Sequence, residues 1–397
     1  MDMTITLALA LGGALGIMAV LFVAYEIKRK HVAIWFLEFF RQPRRWAHAI
    51  RNGDQAGPVH ILFCLVDHFE PIRTGSTRQK HRERMQQWLD RFPELALRHR
   101  DSHGKPVQHT WFYPGEEYDP EFLDDLAKLC RQGLGEIELH LHHGHDDAET
   151  LRKKFLAGIE HFSKHGALVT QEIPPRHVYG FIHGNLALAN SRYDAEFCGV
   201  NEEIRILKET GCYADFSMPT APCVSQTRKV NSIYYATNVS GRPKSHNWGV
   251  DVEAGRPPTG DLMIIQGPIG FNWHNRKYGI IPRLENSELQ DSNPPTLHRI
   301  RIWVRQHIHV KGRPKWIVVK VSCHGAEDRN RDVLLGNSAD RMYSDLEREY
   351  RDRPGHRLHY VTARELYNII KAAEAGMTGD PGVYRDYVIP PYCTHRK

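Results

Sequence analysis

Cysteine is scarce in this chain: seven of 397 residues, at positions 64, 130, 198, 212, 223, 323 and 393, with no Cys-x-x-Cys spacing. An odd, scattered set argues against a disulfide framework and favours a reducing compartment. Internal repeats of roughly 20 to 50 residues and low-complexity tracts are also missing, which excludes solenoids, propellers and long disordered linkers. Charge is nearly balanced, at a formal +6, and most of that excess sits in one place. Between residues 25 and 51, seven Lys and Arg face two Glu, a local +5. The rest of the chain is close to neutral and carries no nucleic-acid-binding motif, so no nucleic acid partner is expected. The hydrophobic fraction of 41% and charged fraction of 25% are those of a globular protein, long enough for one large α/β domain with appendages or two modest ones.

What the chain does have is one long apolar run and 25 histidines. Residues 4–25 carry no charge, a length that crosses a bilayer as a helix at about 1.5 Å per residue. The run lacks a basic leader and a small-residue cleavage site, so it reads as an uncleaved single-pass anchor. The basic flank after it predicts a cytoplasmic body on a bacterial inner membrane, a periplasmic body being the alternative. Residues 32–40, with Trp35, Phe36, Phe39 and Phe40, suit a helix lying among lipid headgroups or one packed on the globular body.

The densest group of metal-capable side chains runs Glu136-Ile-Glu-Leu-His140-Leu-His142-His143-Gly-His145-Asp146-Asp147. Its first half alternates polar and apolar, the pattern of a strand with one buried face, and Gly144 permits a turn at its end. Ordinary solvated histidines explain one or two such residues but not four within six, and imidazole ligates divalent ions through a neutral nitrogen.

Elsewhere, apolar strands are predicted over 59–66, 107–113, 177–182, 212–216 and 316–322, with brief ones at 233–236, 262–266 and 358–361. Helices are predicted over 78–92, 120–131, 147–164, 201–210, 297–307 and 362–374, two of them opened by Asp119-Pro120 and by the Thr362/Glu365 capping box. Alternation of this kind means parallel strands with crossover helices, whose C-terminal ends share one face. Asp67-His68, His140 to His145, His183 to Asn185, Asp215 and His324 all sit at such ends and are expected to converge.

This set of motifs resembles the polysaccharide deacetylase superfamily (NodB homology, carbohydrate esterase family four), in a divergent bacterial membrane-linked branch. The resemblance runs from about Val59 to about Pro381. Val66-Asp67-His68 stands where the family has an aspartate pair, His140 to His145 where it has its histidine pair, and Val321-Ser-Cys-His324-Gly where it has its late histidine. FIHGN, GCYADFSMP, QGPIGFNW and HYVTARELYNII carry the likeness further. The chain departs from the family in having His68 for the second aspartate, H-x-H-H-x-H for the histidine pair, and no Arg-x-Pro stretch.

The resemblance implies a distorted (β/α)7 barrel over residues 57–385, after an anchor at 1–26 and a basic, aromatic segment at 27–56, with a tail at 386–397. It implies a metal-dependent hydrolase that removes N-acetyl groups from a cell-surface carbohydrate. His68, His140 and His143 would hold the ion, with His145 or His142 as substitute. The ion would be Zn2+, with Co2+, Ni2+ or Mn2+ possible. Asp67 would act as base and His324 as acid, and His183, Asn185 and Asp215 would contact substrate. Two alternatives stand beside it: a glycosidase-like hydrolase using carboxylates such as Asp67, Glu70 or Asp215, and a non-catalytic scaffold. Trp111, Tyr113, Trp248 and Trp273 are candidates for stacking on sugar rings or for the core, and Cys323 reads as a buried structural thiol.

Overall fold

The structure is a computed structural model that describes residues 3–42, 57–172 and 175–392, without the side chains of 3–12, 15, 19 and 170–176. Helices α1 (Met3–Arg29) and α2 (36–42) precede an alternating body. The body runs β1 (Val59–His68), α3 (Arg78–Arg98), β2 (His109–Pro114), α4 (Pro120–Arg131), β3 (Gly135–Leu141), α5 (Ala148–Ser163), β4 (Val169–Glu172), β5 (Pro175–His183), α6 (Glu203–Thr210) and β6 (Cys212–Asp215). Six strands follow with no α-helix between them: β7 (Ile233–Ala236), β8 (Val250–Asp251), β9 (Leu262–Ile265), β10 (Gly270–Lys277), β11 (Ile281–Glu285) and β12 (Glu288–Leu289). The chain continues through α7 (Leu297–Arg305), β13 (Trp316–Cys323), α8 (Arg331–Leu334), α9 (Asn337–Leu346), β14 (His356–Tyr360) and α10 (Ala363–Glu374).

Local chemistry sets these boundaries. Asp119 accepts hydrogen bonds from the Glu121 and Phe122 amides ahead of Pro120, and Asp147 and Thr362 close capping boxes at the starts of α5 and α10. β1 is buried on both faces because helices cover one side and the curled sheet encloses the other. Ile61, Phe63 and Leu65 pack toward Trp88, Phe122 and Phe155 on the helix side. Leu62, Cys64 and Val66 pack inward with Phe112, Ile182 and Val318, and Leu366 of α10 joins them.

The main sheet runs β12-β13-β1-β2-β3-β5-β6-β9-β7-β8, with β14 on β1 and β4 on β5. From β12 to β9 that path is parallel, as the alternating pattern requires, whereas β7 and β8 join antiparallel. No strand pairing among the described residues links the β12 edge to the β8 edge, so the expected (β/α)7 barrel is corrected to an open, mostly parallel sheet. Between β6 and β12 the chain is rich in Pro, Gly and Asn and forms no α-helix. There β9 still joins β6 in parallel, but β7 and β8 beyond it return antiparallel and the parallel series stops.

The membrane expectation is corrected as well. Among the described residues no helix is long and apolar enough to cross a membrane, so the single-pass anchor and the inner-membrane location are withdrawn. The last turns of α1 pack on the body instead: buried Glu26 accepts from Lys277 of β10 at 3.3 Å. Trp35, wholly buried, stacks on Phe271, which is the packed alternative for residues 32–40. Arg44, Arg45 and Arg51 of the basic segment lie outside the described residues.

Candidate functional site

Successive strand residues point to opposite faces, and this period sorts the polar groups at the strand ends. On the inner face, His68 continues the row Leu62, Cys64, Val66. His140 continues Glu136 and Glu138, and His324 continues Val318, Lys320 and Ser322. β13, β1, β2 and β3 are parallel neighbours, so these ends meet. The His68 ring stacks on His324 with centroids 4.5 Å apart and meets His140 edge-on at 4.8 Å, and His142 lies 4.6 Å beyond His140.

Carboxylates complete the mouth. Glu70 Oε1 lies 3.2 Å from His140 Nε2 and 3.6 Å from His142 Nε2. Glu116, just after β2, accepts from the His142 amide at 2.9 Å and from its Nδ1 at 2.7 Å, which fixes the ring and turns Nε2 toward Glu70. Glu288 Oε1 stands 3.5 Å from His324 Nδ1. His68 and His140 are buried, while the side chains of Glu70, His142 and His324 keep 17%, 33% and 29% of their surface.

Electrostatics divide the groups. Burial alone would raise the Glu70 carboxyl, but the His140 hydrogen bond and the charges of His140, His142 and His324 bring it down to about 2. Burial raises Glu117 to about 7, helped by the Glu116 and Glu70 carboxylates, and its Oε2 has no hydrogen-bond partner. His68 is pushed well below the ordinary imidazole range by burial and by His324 and His140. For His142 and His324, acidic partners outweigh burial and hold the rings above that range.

The other expected residues lie elsewhere. Asp67, one position from His68, faces the helix side: its Oδ1 accepts from the Gly325 amide at 2.6 Å, and Oδ2 lies 2.9 Å from His109 Nε2. A Cβ at 325 would meet Asp67 Oδ2 at 2.1 Å, so the approach needs glycine. His143 also turns to the helix side, where it meets His183, and Asn185 donates to the His143 carbonyl at 2.8 Å. Asp215 accepts from Ser217 Oγ at 2.7 Å and is raised to about 7 by burial. His145 is exposed in a left-handed turn with φ 54°. Trp111 and Tyr113 are core residues, whereas Trp248 and Trp273 are exposed, and burial raises the Cys323 thiol.

Among the described residues, four groupings of His, Cys, Asp and Glu have donor atoms close enough to hold a metal ion. They are His68/Glu70/His140, His143/His183/Cys198/Glu203, His60/His359/Asp380 and Asp67/His109/Cys323. Glu116, Glu117, Glu203 and Cys198 escape the sequence reading. Glu116 and Glu117 follow the end of β2, so the strand-end rule applied to that strand finds them; Cys198 and Glu203 sit in a loop and a helix start with no local signal.

No family model and no curated protein matches the chain. Among solved structures it is similar to TK1436, a GH57 branching enzyme from the hyperthermophilic archaeon Thermococcus kodakaraensis, in a crystal structure with glucose and additives. The identity is 9% and the TM-score 0.35, over 74% of this chain and 68% of that one. Likeness at that level fixes neither fold nor function. The expected place in the polysaccharide deacetylase superfamily is withdrawn, and deacetylation with it: no family model matches the chain, and the sheet is not the (β/α)7 barrel that the resemblance implies.

Proposed function

We propose that the chain is a hydrolase of glycosidic bonds acting at the strand-end mouth of β1, β2, β3 and β13. In this reading Glu117 protonates the departing oxygen and Glu70 is the ionised carboxylate across the bond. The observation that carries it is a pair of carboxyl groups at one mouth with opposite surroundings: Glu70 against two imidazoles, Glu117 half-buried beside two carboxylates. Acetal cleavage needs one protonated and one ionised carboxyl group, and surroundings of this kind produce that division. His68, His140, His142 and His324 line the same mouth and offer ring nitrogens to sugar hydroxyls.

One observation favours a second reading of the same residues. Donor atoms of His68, Glu70 and His140 all lie within 4.8 Å of one another, and two imidazoles with a carboxylate suit Zn2+ or a neighbouring divalent ion. The buried Nδ1 atoms of His68 and His140 have no hydrogen-bond partner, which leaves both rings free to settle their tautomer around an ion. Bound there, the ion would supply Lewis acidity for hydrolysis.

One assay separates them. The purified full-length chain is incubated with a panel of α- and β-linked oligosaccharides, and new reducing ends are measured. Activity is expected to fall about 10²- to 10⁴-fold in Glu117→Gln and in Glu70→Gln, the range for lost acid or base catalysis. Insensitivity to chelation supports the carboxylate pair, and chelator inactivation together with one equivalent of bound metal lost in His68→Ala supports the ion at the mouth. Failure to cleave any glycoside overturns both as glycosidase readings.

A further inference from the structure

On the helix side of the sheet, behind the strand-end mouth, the tips of β3 and β5 meet the loop that leads into α6. His183, Cys198 and Glu203 are wholly buried there, as is the His143 side chain. His143 Nε2 lies 3.1 Å from Glu203 Oε1, His183 Nε2 lies 3.8 Å from the same oxygen, and Cys198 Sγ lies 3.5 Å from Glu203 Oε2. One donor atom from each of the four falls within 4.8 Å of every other. Zinc bonds of ~2.0–2.3 Å in a tetrahedron set ligand atoms roughly 3.3–3.8 Å apart. The three contacts, two to Glu203 Oε1 and one to Oε2, run from 3.1 to 3.8 Å, close to that spacing.

The surroundings are those of ligands held in place. Asp146 Oδ2 stands 3.2 Å from His143 Nδ1, behind the ring. The Ala189 amide donates to Glu203 Oε2 at 2.6 Å. Two amides, of Asn190 and Val200, point at Cys198 Sγ from 3.3 and 3.4 Å and hold the sulfur in place, while burial and the Glu203 carboxylate raise its thiol as long as no ion is bound. Partners of this kind orient metal ligands.

Two features are costly without a cation. Among the described residues, the ion-pair partners of Glu203 are His143 and His183, with no Lys or Arg, although the carboxylate is wholly buried. His183 Nε2, aimed at the cluster, has no hydrogen-bond partner. Buried charge needs compensation and buried polar atoms need partners. A dication meets the first demand, since one thiolate, one carboxylate and two neutral imidazoles bring the total charge to zero, and it meets the second once the His183 ring carries its proton on Nδ1.

We propose that His143, His183, Cys198 and Glu203 form a closed structural site for one zinc-like divalent cation, whatever reaction the strand-end mouth performs. On binding, the Cys198 thiol proton leaves to solvent and Sγ bonds the ion. The Asn185 amide faces His183 Nδ1 at 3.2 Å, so the His183 ring proton must move from Nε2 to Nδ1 against that amide. His183 is therefore the weakest of the four ligands. The ion clamps the β3 and β5 tips to the 186–203 loop and so fixes His142, the residue before His143, in the mouth.

The test uses the full-length chain stripped with chelator and titrated with Co2+, then with Zn2+. One equivalent of Co2+ is expected to give a thiolate-to-cobalt band in the near ultraviolet that Zn2+ displaces. The band is expected to vanish in Cys198→Ala, to persist in Cys323→Ala, and to need at least tenfold more Co2+ in His183→Ala. A band lost with Cys323→Ala instead, or no band at all, overturns the proposal. Should Cys198→Ala fail to fold, zinc K-edge absorption on the unmodified chain with one equivalent of Zn2+ decides: one sulfur with nitrogen and oxygen neighbours upholds it, and an all-nitrogen-and-oxygen shell overturns it.

Discussion

Glu117 is where the proposed chemistry is most exposed to measurement. Its carboxyl, raised to about 7, is protonated below that pH, while Glu70, lowered to about 2, is ionised above its own value. The competent pair therefore persists through the acidic range and disappears as pH rises through about 7. The pH profile of kcat/KM is expected to fall on that alkaline side, and Glu117→Gln should lose both the limb and most of the activity. Asp67 makes the opposite expectation. It anchors the Gly325 amide and His109 away from the mouth, so Asp67→Asn, which can still accept from one and face the other, should keep activity within about tenfold. Asp67→Ala strands two buried partners at a cost of about 2–5 kcal/mol, read from the urea midpoint. Loss of activity in Asp67→Asn with full stability would return Asp67 to the catalytic group. The histidines of the mouth were legible in the sequence because they end strands. Their division between two faces needed only the strand period, which puts Asp67 opposite His68 and His143 opposite His142. Cys198 and Glu203 were not legible, because their neighbours in the chain are not their neighbours in space.

Elements with strong local signals matched the sequence closely. The apolar runs of β1 and β13, the Asp119-Pro120 start of α4 and the capping box of α10 each rest on contacts within a few residues. The β10–β11 hairpin and α9 were missed for the converse reason. β10 is mostly exposed past Asn272, so no alternation marks it. α9 buries Ala339, Met342, Tyr343 and Leu346 at helical spacing, but over only ten residues. α10 offers a test at this scale, since its cap reaches across the sheet. Thr362 Oγ accepts from the Glu365 amide and donates to buried Glu136 at 2.6 Å. Thr362→Ala is expected to cost about 1–2 kcal/mol, the upper range for a lost cap, and Thr362→Ser to restore most of it in a thermal or urea melt. Equal loss in both variants would mean that the methyl packing, not the hydroxyl, holds the helix start.

At the scale of the whole molecule, no strand pairing among the described residues closes the open sheet, and isolated bridges through 308–311 span between β13 and the end of β8, so other contacts help hold its curl. The segment 380–392 does this by crossing from α10 to the end of β14 and the first half of β3 through buried polar groups. Arg385 donates to Asp101 at 2.7 Å and to Glu365 at 2.8 Å, and Arg364 donates to Glu136 at 2.8 Å and to the Ile389 carbonyl at 2.6 Å. Tyr392 donates to Glu138 at 2.6 Å. Sequence pattern shows none of this, because each partner is an isolated charge with no period. Removing one member of such a network leaves the others buried and uncompensated, which costs far more than a surface pair. Arg385→Met keeps the bulk of the side chain, strands Asp101 and leaves Glu365 with Lys105 alone among the described residues as its ion-pair partner, so a loss of about 3–5 kcal/mol is expected, as a lower urea midpoint with unchanged slope. Burial alone would raise Glu365, but Arg385, Lys105 and Arg364 bring it below the ordinary carboxylate range. A carboxyl lowered on folding adds stability above its unfolded pKa and loses it as pH falls through the folded value. The unmodified chain should therefore lose stability on acidification more steeply than Arg385→Met, in which the largest part of that contribution is removed. Parallel acid titrations of the two would show instead that Lys105 and Arg364 suffice, and that the crossing segment holds the sheet by packing alone.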